Sequence, residues 1–458
     1  MAIDPHDLRG ELFEFLRIPS ISARPEHALD VRDAALWVIG ALEAAGLKAE
    51  LLETEGHPVA FGEWLGAGDH APTLLIYGHY DVQPPEPVEL WTTPPFEPAL
   101  RDGRIYARGA ADNKGQLFIQ LKALQEALSR YGSLPVNVLF LAEGEEEIAS
   151  PNLLPLIHAH KDRLSADGVL ISDSAMFAPG LPSLLFSLRG MAYFELRVRG
   201  VRGDLHSGSY GGAVPNAASC LVGILSTLHD QDGRVAIEGF YDAVADWDAE
   251  TRAQIRALPF VEQEFMHEAG ATCLYGESGY STIERLWTRP TCEVNGLLSG
   301  YTGEGAKTVL PADAMAKLSF RLVSDQDPAH VGDLLRSHVS QYTPPGVEVD
   351  VVELAGCRPW RANLEGPFFE AAREALRAGF GVEPVLTGDG ASIPIVADLE
   401  ELLGAQAILM GFALPGANMH APNEWFPEAH LENGIETLLS FYRELSRQRS
   451  EALPPLRG

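Results

Sequence analysis

Histidine and carboxylate residues occur at four separated places in the chain where a metal ion could be bound. His79 and Asp81 are separated by one residue, residues 143–147 form an acidic run, and Asp173 and His420 stand alone. Imidazole nitrogens and carboxylate oxygens together suit zinc, manganese or cobalt. Two such ions about 3.5–4 Å apart can activate a water molecule and stabilise a tetrahedral intermediate. Metal-assisted hydrolysis is therefore the chemistry that this set of residues could support.

A second polar loop adds one more carboxylate. Asp112 lies in the sequence Arg-Gly-Ala-Ala-Asp-Asn-Lys-Gly at 108–115. We interpret this loop and the loop of His79 as one side of a metal centre. In the acidic run, adjacent glutamates could divide the work, one binding metal while its neighbour acts as a general base.

Each of these patterns alone also has an ordinary structural explanation. A histidine followed by Asp81 could be a hydrogen-bonded loop pair, and the run at 143–147 could be a solvated acidic turn. Asp173 could cap a helix, and His420, close to Pro422, could be a loop hydrogen-bonder. Their joint occurrence, in order and after apolar runs, favours the metal centre.

The predicted elements explain how these residues could meet. Residues 73–77, 136–142 and 168–172 are apolar runs typical of strands that are covered on both faces, and each precedes one of the polar positions. Amphipathic segments such as 115–129 predict helices between the strands, so the pattern favours an α/β sheet. In such sheets, sites form beyond the carboxyl ends of the strands.

The pattern changes in the middle of the chain, which predicts a second domain. Residues 191–200 alternate apolar and polar types, as expected of an antiparallel strand with one exposed face. The α/β pattern resumes after residue 358. We therefore predict one discontinuous domain, residues 1–187 and 359–458, with residues 188–358 inserted into it. The length of the chain supports two domains.

Composition excludes several classes of function. The chain has 34 basic and 64 acidic residues, a net charge of −30, and so lacks the basic face of a nucleic-acid-binding protein. Its four cysteines form no C-x-x-C pair, which argues against a thiolate zinc site and suggests free thiols in a reducing compartment. We find neither a signal-peptide pattern nor a membrane-spanning apolar run, and expect a cytoplasmic protein without membrane partners.

Five motifs together resemble the dinuclear zinc peptidase family that includes carboxypeptidase G, aminoacylase, succinyl-diaminopimelate desuccinylase and the carnosinase-like dipeptidases. The motifs are Gly78-His79-Tyr80-Asp81-Val82-Gln83-Pro84, the 108–115 loop, Glu143-Gly144-Glu145-Glu146-Glu147, Ile171-Ser172-Asp173 and His420-Ala421-Pro422-Asn423-Glu424. The resemblance extends from about Phe13 to Leu439. It implies a catalytic domain with a mixed sheet flanked by helices on both faces, and an inserted α+β lid and dimerisation domain.

The resemblance also implies two divalent metal ions and their ligands. His79 and Asp173 would bind one ion, Glu147 and His420 the other, and Asp112 would bridge both. Zinc is the first expectation, and manganese or cobalt would also fit these ligands. The peptide bond that follows Asp112 would be cis, as in the family.

Three further residues would serve the reaction. Asp81 would hydrogen-bond to His79 and fix its tautomer. Glu146 would take a proton from the water bridging the metals and deliver it to the leaving amine. His206, in a Gly-Asp-Leu-His-Ser-Gly motif, would reach across a homodimer and stabilise the oxyanion in the partner's site. Without the resemblance, His206 is most simply interpreted as a turn residue.

The carnosinase-like dipeptidases are the branch that the chain resembles most. Residues 300–311 and 320–323 match its lid, and an acidic insertion at 234–265, which we predict to be helical, is also similar. In that branch Thr308, Arg321 and Ser392 would bind the carboxylate of a short peptide, a task that suits a planar guanidinium group. Considered alone, Arg321 could equally form a salt bridge on a strand face.

Two departures from that branch bear on the substrate. Gly388 and Asp389 replace the arginine and glutamate of an Arg-Glu-Gly-Gly-Ser loop, and Ala175 replaces an aromatic residue. Both positions would serve the N-terminal side of the substrate. The pocket there is therefore expected to be larger or to bind a different group.

The sequence supports one main hypothesis and two alternatives. The main hypothesis is a metal-dependent hydrolase that cleaves the amide bond of dipeptides or small amino-acid conjugates. An N-acyl or N-carbamoyl amino-acid amidohydrolase would use Arg321 and Thr308 in the same way, because its substrates also carry an α-carboxylate. The third hypothesis, a non-catalytic metal- or peptide-binding relative, would have no use for Glu146.

Overall fold

The computed structural model describes the backbone of residues 5–452 and the side chains of residues 8–447. The chain divides into two compact units. Unit 1 comprises the residues up to 186, residues 362–387 and the residues from 395 onward, and unit 2 comprises residues 187–361 and 388–394. Within the described part of the chain, no helix combines the length and apolarity needed to cross a membrane.

Helices and strands alternate along most of the chain. The first part contains α1 (Pro5–Leu16), α2 (Ala28–Ala45), β1 (Lys48–Leu52), β2 (Val59–Trp64), β3 (Thr73–His79), β4 (Ala99–Arg101), β5 (Arg104–Tyr106), α3 (Lys114–Tyr131), β6 (Asn137–Glu143), α4 (Leu153–Ala159) and β7 (Gly168–Ile171). The middle part contains β8 (Ser183–Leu188), β9 (Gly190–Arg199), β10 (Leu205–His206), α5 (Ser207–Tyr210), α6 (Ala217–Leu225), α7 (Ala249–Ala257), α8 (Glu262–Ala269), α9 (Thr282–Thr288), β11 (Thr291–Ser299), β12 (Val309–Leu310), β13 (Asp313–Leu322), α10 (Pro328–Tyr342), β14 (Glu348–Cys357) and β15 (Trp360–Arg361). The last part contains α11 (Pro367–Phe380), β16 (Val385–Asp389), α12 (Pro394–Leu403), β17 (Gln406–Leu409), β18 (Trp425–Pro427) and α13 (Ala429–Ala452).

The core of unit 1 is a mixed six-stranded sheet in the order β1-β2-β6-β3-β7-β17. The four strands from β6 to β17 in this order are parallel to one another. Strand β2 pairs antiparallel with β6 on one side and with β1 on the other. Every residue of β6 and β7 is buried, as the apolar runs predicted, because helices including α2, α3 and α11 pack against the sheet. The mixed α/β fold that we predicted is confirmed.

The strand register brings three polar loops to one edge of this sheet. His79 at the end of β3 lies opposite Glu143 at the end of β6, and Tyr77 lies opposite Ile171 at the end of β7. Because the three strands are parallel, the loops that follow them all leave from the same edge. This register places the loops of His79, Glu146–Glu147 and Asp173 next to one another.

Unit 2 contains an antiparallel sheet in the order β11-β13-β9-β14. Burial alternates along β9 and β13, as predicted for strands with one exposed face. The buried residues, including Phe194 and Phe320, pack in a core with Leu221 of α6 and Leu335 of α10. Strand β11 is an edge of this sheet.

The structure differs from the sequence-based expectations around the acidic insertion. We predicted helix across much of 234–265, but the helices there are α7 and α8. Asp248 begins α7 by accepting a hydrogen bond from the backbone N–H of Thr251. Leu258 ends it in an extended conformation, which the following Pro259 favours.

Candidate dinuclear metal centre

Five side chains of unit 1 form two groups that share Asp112. The first group is His79, Asp112 and Asp173, the second is Asp112, Glu147 and His420, and the ligand atoms within each lie within 4.8 Å of one another. Asp112 Oδ1 is 3.1 Å from His79 Nε2, and Asp112 Oδ2 is 2.9 Å from His420 Nε2. The two oxygens of this carboxylate thus face different groups, which is the arrangement that a bridging ligand needs.

The loops give the five residues different exposure. His79 ends β3 and is completely buried, whereas 56% of the His420 side chain remains exposed. His420 lies in the loop between β17 and β18 and has a positive φ of 61°. The centre is therefore closed on the side of His79 and open on the side of His420, where a substrate could approach.

The charges in this cluster are strongly unbalanced. Hydrogen bonds to Asp112 and Glu147 raise the pKa of His420 to about 10. Burial opposes ionisation of His79, but the charge of Asp173 and the hydrogen bond to Asp112 outweigh it and raise the pKa of that imidazole well above normal. Burial would also raise the pKa of Asp112, yet the two histidines lower it.

The raised pKa values of the two histidines share one cause, which is the concentration of carboxylates around them. Such a concentration favours cations. Nitrogen and oxygen donors in two groups around a shared carboxylate are also the donor set that two divalent metal ions accept. The residues present therefore fit a dinuclear metal centre.

Glu146 lies beside this cluster without joining either group. It follows β6 in the same turn as Glu147, and no group in the described residues hydrogen-bonds to its carboxylate. Burial, with the charges of nearby carboxylates, raises its pKa well above the usual value although His79 opposes the shift. Its carboxylate thus lies beside the centre and has no hydrogen-bond partner among the described residues.

Asp81 makes more contacts than the sequence suggested. His79 Nδ1 is hydrogen-bonded to the backbone oxygen of Asp81 at 3.2 Å, and the carboxylate oxygen Oδ1 of Asp81 lies 3.3 Å from the same nitrogen. Its two carboxylate oxygens also accept hydrogen bonds from the backbone N–H groups of Glu146, at 3.3 Å, and Glu147, at 3.1 Å. A single buried carboxylate therefore contacts both the histidine and the glutamate turn.

Two amide side chains were missed in the sequence analysis. Gln83 Nε2 donates to Glu147 Oε2 at 2.8 Å. Asn113 Nδ2 donates to Asp173 Oδ1 at 2.8 Å and to the backbone oxygen of Ser172. Both residues lie inside the matched motifs next to candidate ligands, and that proximity could have identified them. The peptide bond between Asp112 and Asn113 is cis, as the resemblance implied.

The predicted substrate-binding residues lie in unit 2, where Arg321 and Ser392 meet. Arg321 Nη1 donates to Ser392 Oγ at 3.1 Å, and Ser392 Oγ donates to the backbone oxygen of Arg189 at 2.6 Å. Among the described residues of unit 2, no carboxylate forms an ion pair with Arg321. Most of its hydrogen-bond donors therefore remain available.

His206 lies in a separate two-stranded sheet, and Thr308 directly precedes the second strand of that sheet. Strand β10 pairs with β12, and the N–H of Ser207 donates to the backbone oxygen of Thr308 at 3.1 Å. The exposed imidazole of His206 accepts the N–H of Gly208 at Nδ1, at 3.0 Å. Because Nδ1 is an acceptor, the neutral ring carries its proton on Nε2, which makes that nitrogen a hydrogen-bond donor.

Gly388 explains one departure from the dipeptidase pattern. A Cβ atom at Gly388 would lie 2.7 Å from Cβ of Trp287, closer than real contacts allow. The arginine of the related branch would therefore not fit here unless Trp287 moved. Position 388, four residues before Ser392, therefore has no room for a side chain unless Trp287 shifts.

Known proteins resemble this chain in both sequence and fold. Residues 75–444 match the family described as Peptidase family M20/M25/M40. A cysteinylglycine-S-conjugate dipeptidase of Corynebacterium striatum is 32% identical over 430 residues, which are 92% of each chain. A crystal structure of an M20 family metallo-carboxypeptidase from Sulfolobus solfataricus superimposes with a TM-score of 0.85 and 36% identity, covering 97% of this chain and 100% of that one. The crystal structure of human carnosine dipeptidase 1 superimposes with a TM-score of 0.80 and 26% identity, covering 97% of this chain and 96% of that one.

Proposed function

The chain belongs to peptidase family M20/M25/M40, which makes it a metallopeptidase, and from that premise we propose that it hydrolyses dipeptides. Among its relatives, the protein from Corynebacterium striatum and human carnosine dipeptidase 1 are dipeptidases by name. The observation that carries the proposal is the pair of ligand groups sharing Asp112, with the uncommitted carboxylate of Glu146 beside them.

Two divalent ions would be held by the residues of those groups. The first ion would be bound by His79, Asp112 and Asp173, and the second by Asp112, Glu147 and His420. We propose zinc, with manganese or cobalt as alternatives that accept the same nitrogen and oxygen ligands. When bound, the ions supply an activated water and electrostatic stabilisation of a tetrahedral intermediate.

The protein groups supply proton transfer and orientation. Glu146 accepts a proton during attack and returns it to the leaving amine, a role open to it because its carboxylate has no other hydrogen-bond partner among the described residues. Asp81 holds His79 in one tautomer and fixes the turn of Glu146 through two backbone hydrogen bonds.

Substrate recognition would depend on unit 2. We propose that Arg321, with Ser392 and Thr308, binds the C-terminal carboxylate of the dipeptide. The guanidinium group of Arg321 has N–H donors beyond the one that binds Ser392, and the hydrogen bond to Ser392 orients the group. N-acyl and N-carbamoyl amino acids carry the same carboxylate, and the altered surroundings of Gly388 make them the alternative substrates to test.

We also propose that the protein is a homodimer in which His206 acts in the partner's site. Edge strand β11 exposes Leu297 and Leu298 by 57% and 54%, and Val222 on α6 is 55% exposed, so unit 2 presents apolar side chains that a second copy could cover. The donor on Nε2 of His206 suits the stabilisation of an oxyanion.

A substrate panel distinguishes the two substrate classes. Dipeptides, the same dipeptides with an amidated C-terminus, and N-acetyl and N-carbamoyl amino acids are assayed with zinc, manganese and cobalt. We expect free dipeptides to be hydrolysed fastest and amidation to raise KM, because Arg321 then loses its carboxylate partner. Arg321→Met should impair free dipeptides and leave amidated ones unchanged. Faster turnover of the acyl or carbamoyl compounds would instead establish the deacylase alternative.

The role of Glu146 is tested with Glu146→Gln, which keeps the shape of the side chain and removes the base. We expect kcat to fall by about 10²–10⁴-fold. The metal content, measured by mass spectrometry, should stay at the wild-type value because Glu146 belongs to neither ligand group. Glu89→Gln, the same change at an exposed position, is the control and should retain full activity. Wild-type rates in Glu146→Gln would refute the mechanism.

Action of His206 across the dimer is tested by coexpressing two inactive variants. In a mixed dimer of Glu146→Gln and His206→Ala subunits, trans action creates one site with both residues intact. Random pairing makes about half of the dimers mixed, each with one working site of two, so roughly a quarter of wild-type activity should return. Action within one subunit predicts no recovery. Each variant coexpressed with itself is the control.

A further inference from the structure

Glu424 is a completely buried carboxylate, four residues after His420, to which the proposed mechanism assigns no task. Its Oε1 accepts hydrogen bonds from the backbone N–H groups of Ala111, at 2.8 Å, and Asp112, at 3.0 Å. Its Oε2 accepts the N–H of Gly109 at 2.9 Å and Nη1 of Arg108 at 2.8 Å. Each oxygen thus accepts two hydrogen bonds, and three of the four donors belong to one backbone loop.

The loop at 107–112 is shaped around this carboxylate. Gly109 has a φ of +81°, which side chains disfavour, and this conformation helps to turn three N–H groups of the loop toward Glu424. The N–H of Ala107 donates in addition to the backbone oxygen of Glu424. A buried N–H without a partner costs about 1–3 kcal/mol, so the loop conformation depends on the carboxylate that accepts these bonds.

The same residue belongs to the loop of His420. That loop is closed by backbone hydrogen bonds from Ala421 to Asn418 and from Trp425 to Ala417, both 2.9 Å long. Glu424 therefore connects the loop of His420 with the backbone N–H of Asp112 itself. Across this connection, His420 Nε2 and Asp112 Oδ2 face each other at 2.9 Å.

A simpler explanation is that Glu424 only neutralises Arg108. Arg108 is buried as well, and the ion pair is a single contact between Nη1 and Oε2. That explanation accounts for one of the four hydrogen bonds and leaves the three from the backbone at 109–112 without a purpose. Those three hydrogen bonds hold the stretch of backbone that ends at Asp112.

We propose that Glu424 is a positioning residue for the metal centre: it fixes the backbone of the shared ligand Asp112 relative to His420, and binding of the second ion depends on it. This proposal rests on the proposed function, because it assumes that both ions bind. Glu424 contacts neither substrate nor metal in this role and acts through the loop that it holds.

The chain offers a matched pair of variants. In Glu424→Gln one oxygen becomes an NH2 group. Because each oxygen accepts two hydrogen bonds, two donors then face this NH2 group, and at least one of them is a backbone N–H of the loop at 109–112. Arg108→Met also removes the buried ion pair but leaves all three backbone hydrogen bonds. The two variants thus share the loss of the ion pair and differ in the hydrogen bonds that support the backbone at 109–112.

Metal binding is measured by equilibrium dialysis over a range of buffered free Zn²⁺, with mass spectrometry of the bound metal and circular dichroism to verify folding. We expect two ions per chain in the wild type and in Arg108→Met. In Glu424→Gln we expect the second ion to bind about 10–100-fold more weakly. The Co²⁺-substituted protein should show an altered visible absorption spectrum, and kcat for a dipeptide should fall while KM changes little.

Two ions bound to Glu424→Gln with wild-type affinity and an unchanged cobalt spectrum would overturn the proposal, as would an equal loss of the second ion in Arg108→Met. If Glu424→Gln does not fold because it leaves Arg108 uncompensated, the double variant R108M/E424Q is compared with R108M by the same criteria. A wild-type protein that binds fewer than two ions would overturn the proposed function itself. The measurement on the wild type therefore distinguishes an error in the proposed function from an error in the role of Glu424.

Discussion

The carboxylate of Asp112, shared between two groups of ligands, is the feature on which the candidate metal centre of unit 1 depends. Three ligand carboxylates and two imidazoles crowd into a place where burial disfavours charge, and such an arrangement is stable only when cations and hydrogen bonds compensate it. The raised pKa values of His79 and His420 are the response of the protein groups alone to that excess of negative charge.

The fold meets this constraint at two levels. Parallel strands β6, β3 and β7 bring their terminal loops to one edge of a buried sheet, which sets the coarse position of the ligands. Carboxylates outside the ligand groups then hold the loops by their backbone N–H groups. Asp81 holds the turn of Glu146 and Glu147, and Glu424 holds the loop of Asp112. Amide groups of Gln83 and Asn113 orient two of the ligands directly.

The sequence predicted the parts of this design that have local signatures. Apolar runs identified the buried strands, alternation identified the sheet of unit 2, and the motifs around His79 and His420 identified the family. Hydrogen bonds between distant segments have no such signature. Glu424 and Ala111 are 313 residues apart, and Arg321 and Ser392 are 71 apart, so no periodicity links either pair. The helix ends inside the acidic insertion were also predicted wrongly, because the overall composition of a segment does not show where a helix starts and stops. The N-cap at Asp248 and the proline at 259 set the two ends of α7.

The most direct test of the shared carboxylate is a crystal structure of the zinc-loaded protein with anomalous diffraction measured on both sides of the zinc absorption edge. Two anomalous peaks about 3.5–4 Å apart are expected, with Oδ1 of Asp112 bound to the ion beside His79 and Oδ2 bound to the ion beside His420. A single peak, or two ions of which only one contacts Asp112, would contradict a dinuclear centre bridged by this carboxylate.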